Sequence, residues 1–199
     1  MRKINFHKLL MPSVLDGSKW MTRRVAYNGD VTNPNSGFYT DGKDKGKLAL
    51  CDGEHIVAKS RYAVGEVVAI AQPYKDIIRA GVDISEAEVR QLKNMPGWIN
   101  KLFVRADLMP SRIQFTDIKV ERLQDISFSD CLKEGVEECR ISGYENGHYQ
   151  HFFRTPNVSL YEFDNPFTAF QSILWHCCKP KTLWDDNPWV FCYQYKRVK

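Results

Sequence analysis

Residues 113–123 carry the longest alternation of apolar and polar positions. In an extended chain Ile113, Phe115, Asp117 and Lys119 share one face, and Gln114, Thr116, Ile118 and Val120 share the other. Apolar character therefore changes face partway along, which predicts a strand with a bulge or one buried on both sides. Val67-Val68-Ala69-Ile70-Ala71, after the turn Val64-Gly65-Glu66, is a continuous apolar run and predicts a buried strand. Leu48-Ala49-Leu50-Cys51 leads into the turn Asp52-Gly53, and residues 189–197 predict a closing strand entered through Asn187-Pro188. Residues 4–10 fit a short first strand.

Helical signals are fewer. Pro12 and Gly17 bracket a short helix, one near its start and one at the C-terminal stop. Ser127 opens another that ends before Gly135. Asn165-Pro166 opens an amphipathic helix reaching about Cys178, with Phe167, Phe170, Ile173 and Leu174 at helical spacing. Phe170 and Trp189 are expected to be core residues joining that helix to the last strand. Residues 28–47 are rich in Asn, Gly, Asp and Lys and read as an exposed loop or hairpin. Residues 75–97, helix-prone over 83–92, form an excursion, and residues 139–162 look like an insertion without a regular period. Strands outnumber helices and do not alternate with long ones. That predicts an α+β domain over residues 1–199, built on a barrel of mixed or antiparallel strands with short flanking helices and a helical insertion.

Composition narrows the function classes. A chain of 199 residues can bury a sizeable core without disulfides. No apolar run reaches the roughly 20 residues that a membrane span needs, and the charged N-terminus lacks a signal-peptide pattern, so the expected compartment is the cytoplasm. The six cysteines are scattered and are expected to be free thiols. A net charge of +4 does not by itself indicate nucleic acid. Yet Arg2, Lys3, Lys8, Lys19, Arg23 and Arg24 face only Asp16 within the first 24 residues, and a local basic patch is expected there.

The stretch Gly17-Ser-Lys19-Trp-Met-Thr22-Arg23-Arg24 concentrates candidate chemistry. Gly17 frees the chain to turn. If the chain then extends, Thr22 and Arg24 share one face, while Met21 and Val25 share the other and can bury. A point-charge lysine, a hydroxyl and a planar guanidinium would suit a phosphate or a nucleobase carbonyl. Lys19, Thr22 and Arg24 are therefore expected to converge on a concave surface beside the first helix.

Four ordered stretches resemble the ASCH family, in particular its phage and prophage branch. They are the Gly-x-Lys-x-x-Thr-x-Arg stretch, the run from Val64 to Ile70, the segment Met109-Pro110-Ser111-Arg112-Ile113 leading to Glu134-Gly135-Val136, and Asn187-Pro188-Trp189-Val190. The resemblance spans residues 5–197 and implies a PUA-like β-barrel with a cleft beside the first helix. It implies binding of RNA or a nucleotide through Lys19, Thr22, Arg23 and Arg24, with Arg112 approaching the cleft and Trp20 flanking it. A small branch resembles amidohydrolases acting on modified cytidine, and in that reading Lys19 and Thr22 would be catalytic. Two departures count against hydrolysis. Ala169 lies in a stretch without the expected acid, and Gln72 stands where relatives often carry Glu. Gln72 could still read a base edge and Tyr74 could stack on one. A phage-encoded interaction scaffold is the third reading.

Cys139, His148 and His151 invite a zinc reading, but no Cys-x-x-Cys pair accompanies them. No metal and no cofactor are expected. Arg112 could instead pair internally with Asp107 or Glu121.

Overall fold

The glycine and proline signals set the first elements. In a computed structural model, which describes residues 1–142 and 149–198, β1 (Arg2–Ile4) leads to α1 (Met11–Asp16). Gly17 ends that helix in the left-handed conformation at φ 91°, which a residue without Cβ adopts most readily. The chain then extends into β2 (Met21–Tyr27), β3 (Pro34–Phe38), β4 (Leu48–Asp52), β5 (His55–Lys59) and β6 (Val67–Ile70). The helices α2 (Tyr74–Arg79) and α3 (Glu86–Lys93) follow. A reciprocal Ser85–Glu88 capping box starts α3. The remaining elements are β7 (Arg112–Arg122), α4 (Phe128–Lys133), β8 (Glu137–Ser142), β9 (Tyr149–Arg154), α5 (Pro166–Cys177), α6 (Leu183–Asp186) and β10 (Trp189–Val198).

The architecture is α+β. The main sheet has the order β1-β6-β7-β10-β2, with β1 parallel to β6 and the other pairs antiparallel. A second sheet has the order β3-β4-β5, and β8 pairs with β9. Among the described residues no ladder joins these sheets into one closed barrel. The phase change along β7 is a bulge: Phe115 pairs with Tyr195 and Asp117 with Gln194, leaving Thr116 as the extra residue. Ile113, Phe115 and Ile118 consequently all reach one core.

That core lies between the main sheet and the β3-β4-β5 sheet, where Leu48, Leu50 and Tyr62 meet Val68, Phe115 and Tyr193. The opposite face of β2 and β10 packs Met21, Val190 and Cys192 against Phe170 and Ile173 of α5. Phe170 is buried there as expected. Trp189 does not join it: it lies half-buried on the other face of β10, beneath the Arg122 guanidinium. Adjacent strand residues point to opposite faces, and Val190 already takes the α5 side. Residues 74–109 carry a third cluster, with Tyr74, Ile77, Leu92 and Met109 closing over Ala69 and Ala71.

The segment read as an irregular insertion contains the β8–β9 pair instead. Phe152 and Phe153 are both buried although consecutive, which erases the polar–apolar alternation by which a strand is usually read. Among the described residues no helix is long and apolar enough to cross a membrane.

Candidate functional site

The turn after Gly17 is pinned by backbone bonds. Lys19 N donates to Ser13 O (2.8 Å), Trp20 N to Lys133 O (3.0 Å) and Tyr195 N to Trp20 O (2.9 Å). Gly135, at φ 98°, brings the end of α4 against Lys19, and a Cβ there would sit 3.4 Å from the Lys19 Cβ. Lys19 is only 1% exposed. Its ammonium donates to the Glu134 carboxylate and, at 2.9 Å, to the Glu134 carbonyl.

Arg23 continues the pairing. Its guanidinium reaches Glu134 (3.0 Å), Glu121 (2.7 Å) and Asp130 (3.1 Å), beneath the Phe170 ring. Lys119 holds both Glu121 and Asp130, and Lys133 holds Asp130. Burial alone would raise the Asp130 carboxyl, but hydrogen bonds from Lys119 and Lys133 hold it at about 2. Burial lowers the Lys19 ammonium, and Glu134 opposes that shift without reversing it. Lys19 and Arg23 thus bind α4 to the sheet, and they do not open into a cleft with Arg24.

Strand periodicity does place Thr22 and Arg24 together. They pair with Tyr193 and Phe191 on the face away from α5. Thr22 is buried, while Arg24 is exposed over the Phe6 ring and donates to Asn5 O at 2.6 Å. Arg24 lines a cleft of about 340 Å³ together with Lys3, Lys59, Arg61, Tyr62 and Tyr193. No carboxylate is among its described lining residues. The cations are held in place. Lys3 donates to the carbonyls of Leu102 (2.6 Å) and Val104 (2.7 Å), and Lys59 pairs with Asp44 at the cleft edge (2.5 Å). Arg61 lies over Tyr62, and its backbone N–H donates to the Tyr193 hydroxyl. The positive field extends past this cleft. Burial lowers the His7 pKa, and Lys101, Lys8 and Lys181 lower it further.

The other sequence candidates separate. Tyr74 is fully buried, and its hydroxyl accepts from Arg105 N at 2.9 Å, so no base can stack on it. Tyr74→Phe is expected to cost about 1 kcal/mol of stability, measured by urea denaturation, while leaving ligand affinity unchanged. Trp20 is 43% exposed but carries the Lys133 ammonium over its ring, so it flanks the ion network and not the Arg24 cleft. Arg112 pairs with Val198, seven residues along β10 from the Arg24 partner Phe191, a separation of about 23 Å at strand rise. It also pairs with neither expected acid, because Asp107 is held by Arg105 and Glu121 by Arg23 and Lys119. Gln72 is buried, and its Oε1 has no hydrogen-bonding partner among the described residues.

His148 lies outside the described residues. His151 bonds Glu138 at 2.7 Å, and among the described residues no group of His, Cys, Asp and Glu is arranged to hold a metal. Sequence reasoning missed Lys59 and Arg61, whose period-two spacing at the end of β5 was the available signal. It also missed Glu134 as the partner of Lys19, because 115 positions separate the two.

Compared with known protein families, curated proteins and solved structures, the chain matches none.

Proposed function

We propose that this protein binds RNA or a nucleotide through the Arg24 cleft, as an ASCH-type, PUA-like domain of the phage branch would in the cytoplasm. The observation that carries the reading is the convergence of Lys3, Arg24, Lys59 and Arg61 on one concavity whose described lining includes no acid. Cations fixed around an open concavity suit phosphate, because a lysine supplies a point charge and an arginine a planar fork. The volume matches a nucleotide-sized ligand. Of the Gly-x-Lys-x-x-Thr-x-Arg signature, Arg24 contacts the ligand, Thr22 backs the same face, and Lys19 and Arg23 hold the strand in position. Titration of labelled single-stranded RNA tests this. Arg24→Ala and Arg61→Ala are each expected to weaken binding by about 1.5–3 kcal/mol, as for lost hydrogen bonds to charged groups. Equal affinity in wild type and both variants would refute the cleft.

One observation favours an amidohydrolase as a second reading: the Glu134 carboxylate lies against the Lys19 ammonium, supplying the acid missing at Ala169 and Gln72. Against it, one Glu134 oxygen is taken by Lys19 and the other by Arg23, and Thr22 bonds neither. A general acid must reach the group it protonates. Incubation with an N-acylated cytidine is expected to give no turnover. Hydrolysis abolished by Thr22→Ala would promote this reading over binding alone.

A further inference from the structure

A second concavity, of about 870 Å³, opens to solvent between α1, the start of α2 and the turn around Ile99. Its surface is mainly apolar, supplied by Met11, Leu15, Pro73, Ala80 and Ile99. Ile99 is 69% exposed, and exposed apolar side chains continue along the same stretch at Leu102 and Phe103. Contiguous apolar surface is rarely left open unless something binds there. The wall that carries Ile99 is held in place. Lys3 donates to the carbonyls of Leu102 (2.6 Å) and Val104 (2.7 Å), and Lys101 donates to Phe6 O. A groove shaped in advance binds without first ordering its own walls.

The rim is positive. Lys8, Lys75 and Lys101 stand against the single acid Asp76. Among the described residues no ion pair joins any of these lysines to a carboxylate. Neighbouring His7 senses the same field: burial is the main cause lowering its pKa, and Lys101, Lys8 and Lys181 add to it. A partner must therefore be apolar at its centre and acidic at its edges. No aromatic side chain is among the described lining residues, so single-stranded nucleic acid would find no ring to stack on. An anionic bilayer takes up a protruding apolar face and cannot fill a hollow. An amphipathic helix can. Its apolar residues at i, i+4 and i+7 form a stripe that lies in the trough between α1 and α2, and acids on its flanks reach the lysines.

We infer that this groove docks an acidic amphipathic helix of a partner protein, with Ile99 at the apolar contact and Lys8, Lys75 and Lys101 against the flanking carboxylates. The inference stands apart from the nucleic-acid reading, since the groove shares no lining residue with the Arg24 cleft. Anisotropy titration of the full chain with a labelled, stapled helical peptide tests it. The peptide carries leucines at i, i+4 and i+7 and glutamates on both flanks, and its control has lysines in place of the glutamates. The glutamate peptide is expected to bind about tenfold more tightly than the lysine peptide. Ile99→Gln, a change to an exposed side chain, should weaken the glutamate peptide about tenfold and leave the thermal melting midpoint level. Lys8→Glu combined with Lys75→Glu should reverse the preference in favour of the lysine peptide, an outcome that loss of folding could not produce. No binding of the glutamate peptide, equal binding of both peptides, or wild-type affinity in Ile99→Gln would overturn the docking site. Two further results would overturn it by giving the groove another occupant. One is flotation with phosphatidylserine vesicles that Ile99→Gln abolishes. The other is a concentration-dependent dimer in sedimentation that the same change dissolves.

Discussion

Arg23→Met is expected to cost about 3–5 kcal/mol of folding stability, because it leaves buried carboxylates without their shared cation. Arg23 is the residue on which Glu121, Asp130 and Glu134 converge, and its side chain is only 3% exposed. Burial works to lower its pKa, and the surrounding carboxylates, Glu134 foremost, raise it instead, so the guanidinium stays charged at every accessible pH. Methionine matches much of the bulk and none of the charge. Lys119 and Lys133 would still hold Asp130, but Glu134 would keep only Lys19. Urea denaturation should show a lower midpoint with an unchanged slope. A loss below about 1 kcal/mol would mean that the carboxylates find other partners. The same network gives a pH signature. The Asp130 carboxyl titrates lower in the folded chain than in the unfolded one, so its contribution is present above about pH 4. It is lost as the pH falls toward its folded value of about 2.

Phe170→Ala is expected to cost about 3–5 kcal/mol through the lost transfer energy and the cavity left behind. Phe170 is 1% exposed, packs between α5 and the face of β10 bearing Val190 and Cys192, and meets Trp184 edge-on at 6.4 Å. Its ring also covers the Arg23 guanidinium at 5.7 Å. The Phe170 and Arg23 changes should therefore couple in a double-mutant cycle and not simply add. Trp189→Ala should cost less than Phe170→Ala, because Trp189 is only half-buried and lies on the opposite face of the strand. Equal losses at the two positions would contradict that placement.

Local rules reached several of these features in advance. Pro12 and Gly17 bracket α1 because one fixes φ and the other tolerates the left-handed stop. Period-two geometry put Thr22 with Arg24, and the phase change in residues 113–123 marked the bulge at Thr116. The missed features depend on residues distant in sequence. Nothing near Lys19 shows that Gly135 lets α4 approach closely enough for Glu134 to claim the ammonium. Tyr74 follows a proline near polar residues and reads as accessible. It is buried because Gly97 admits the ring so closely that a Cβ there would stand 2.4 Å from it. The cationic cleft is assembled from β1, β2 and the end of β5, and no single stretch of sequence displays that charge.

The salt dependence of RNA binding tests the central claim most directly. Anisotropy titrations of a labelled single-stranded oligonucleotide at several salt concentrations should give a log affinity that falls linearly with log salt. Arg24→Ala and Arg61→Ala should each reduce that slope by about 0.7, one phosphate contact apiece on a single strand. Lys19→Met, which alters a buried ion pair, should lower stability and leave the slope as in wild type. Salt-independent binding, or a slope that neither arginine variant changes, would contradict the account.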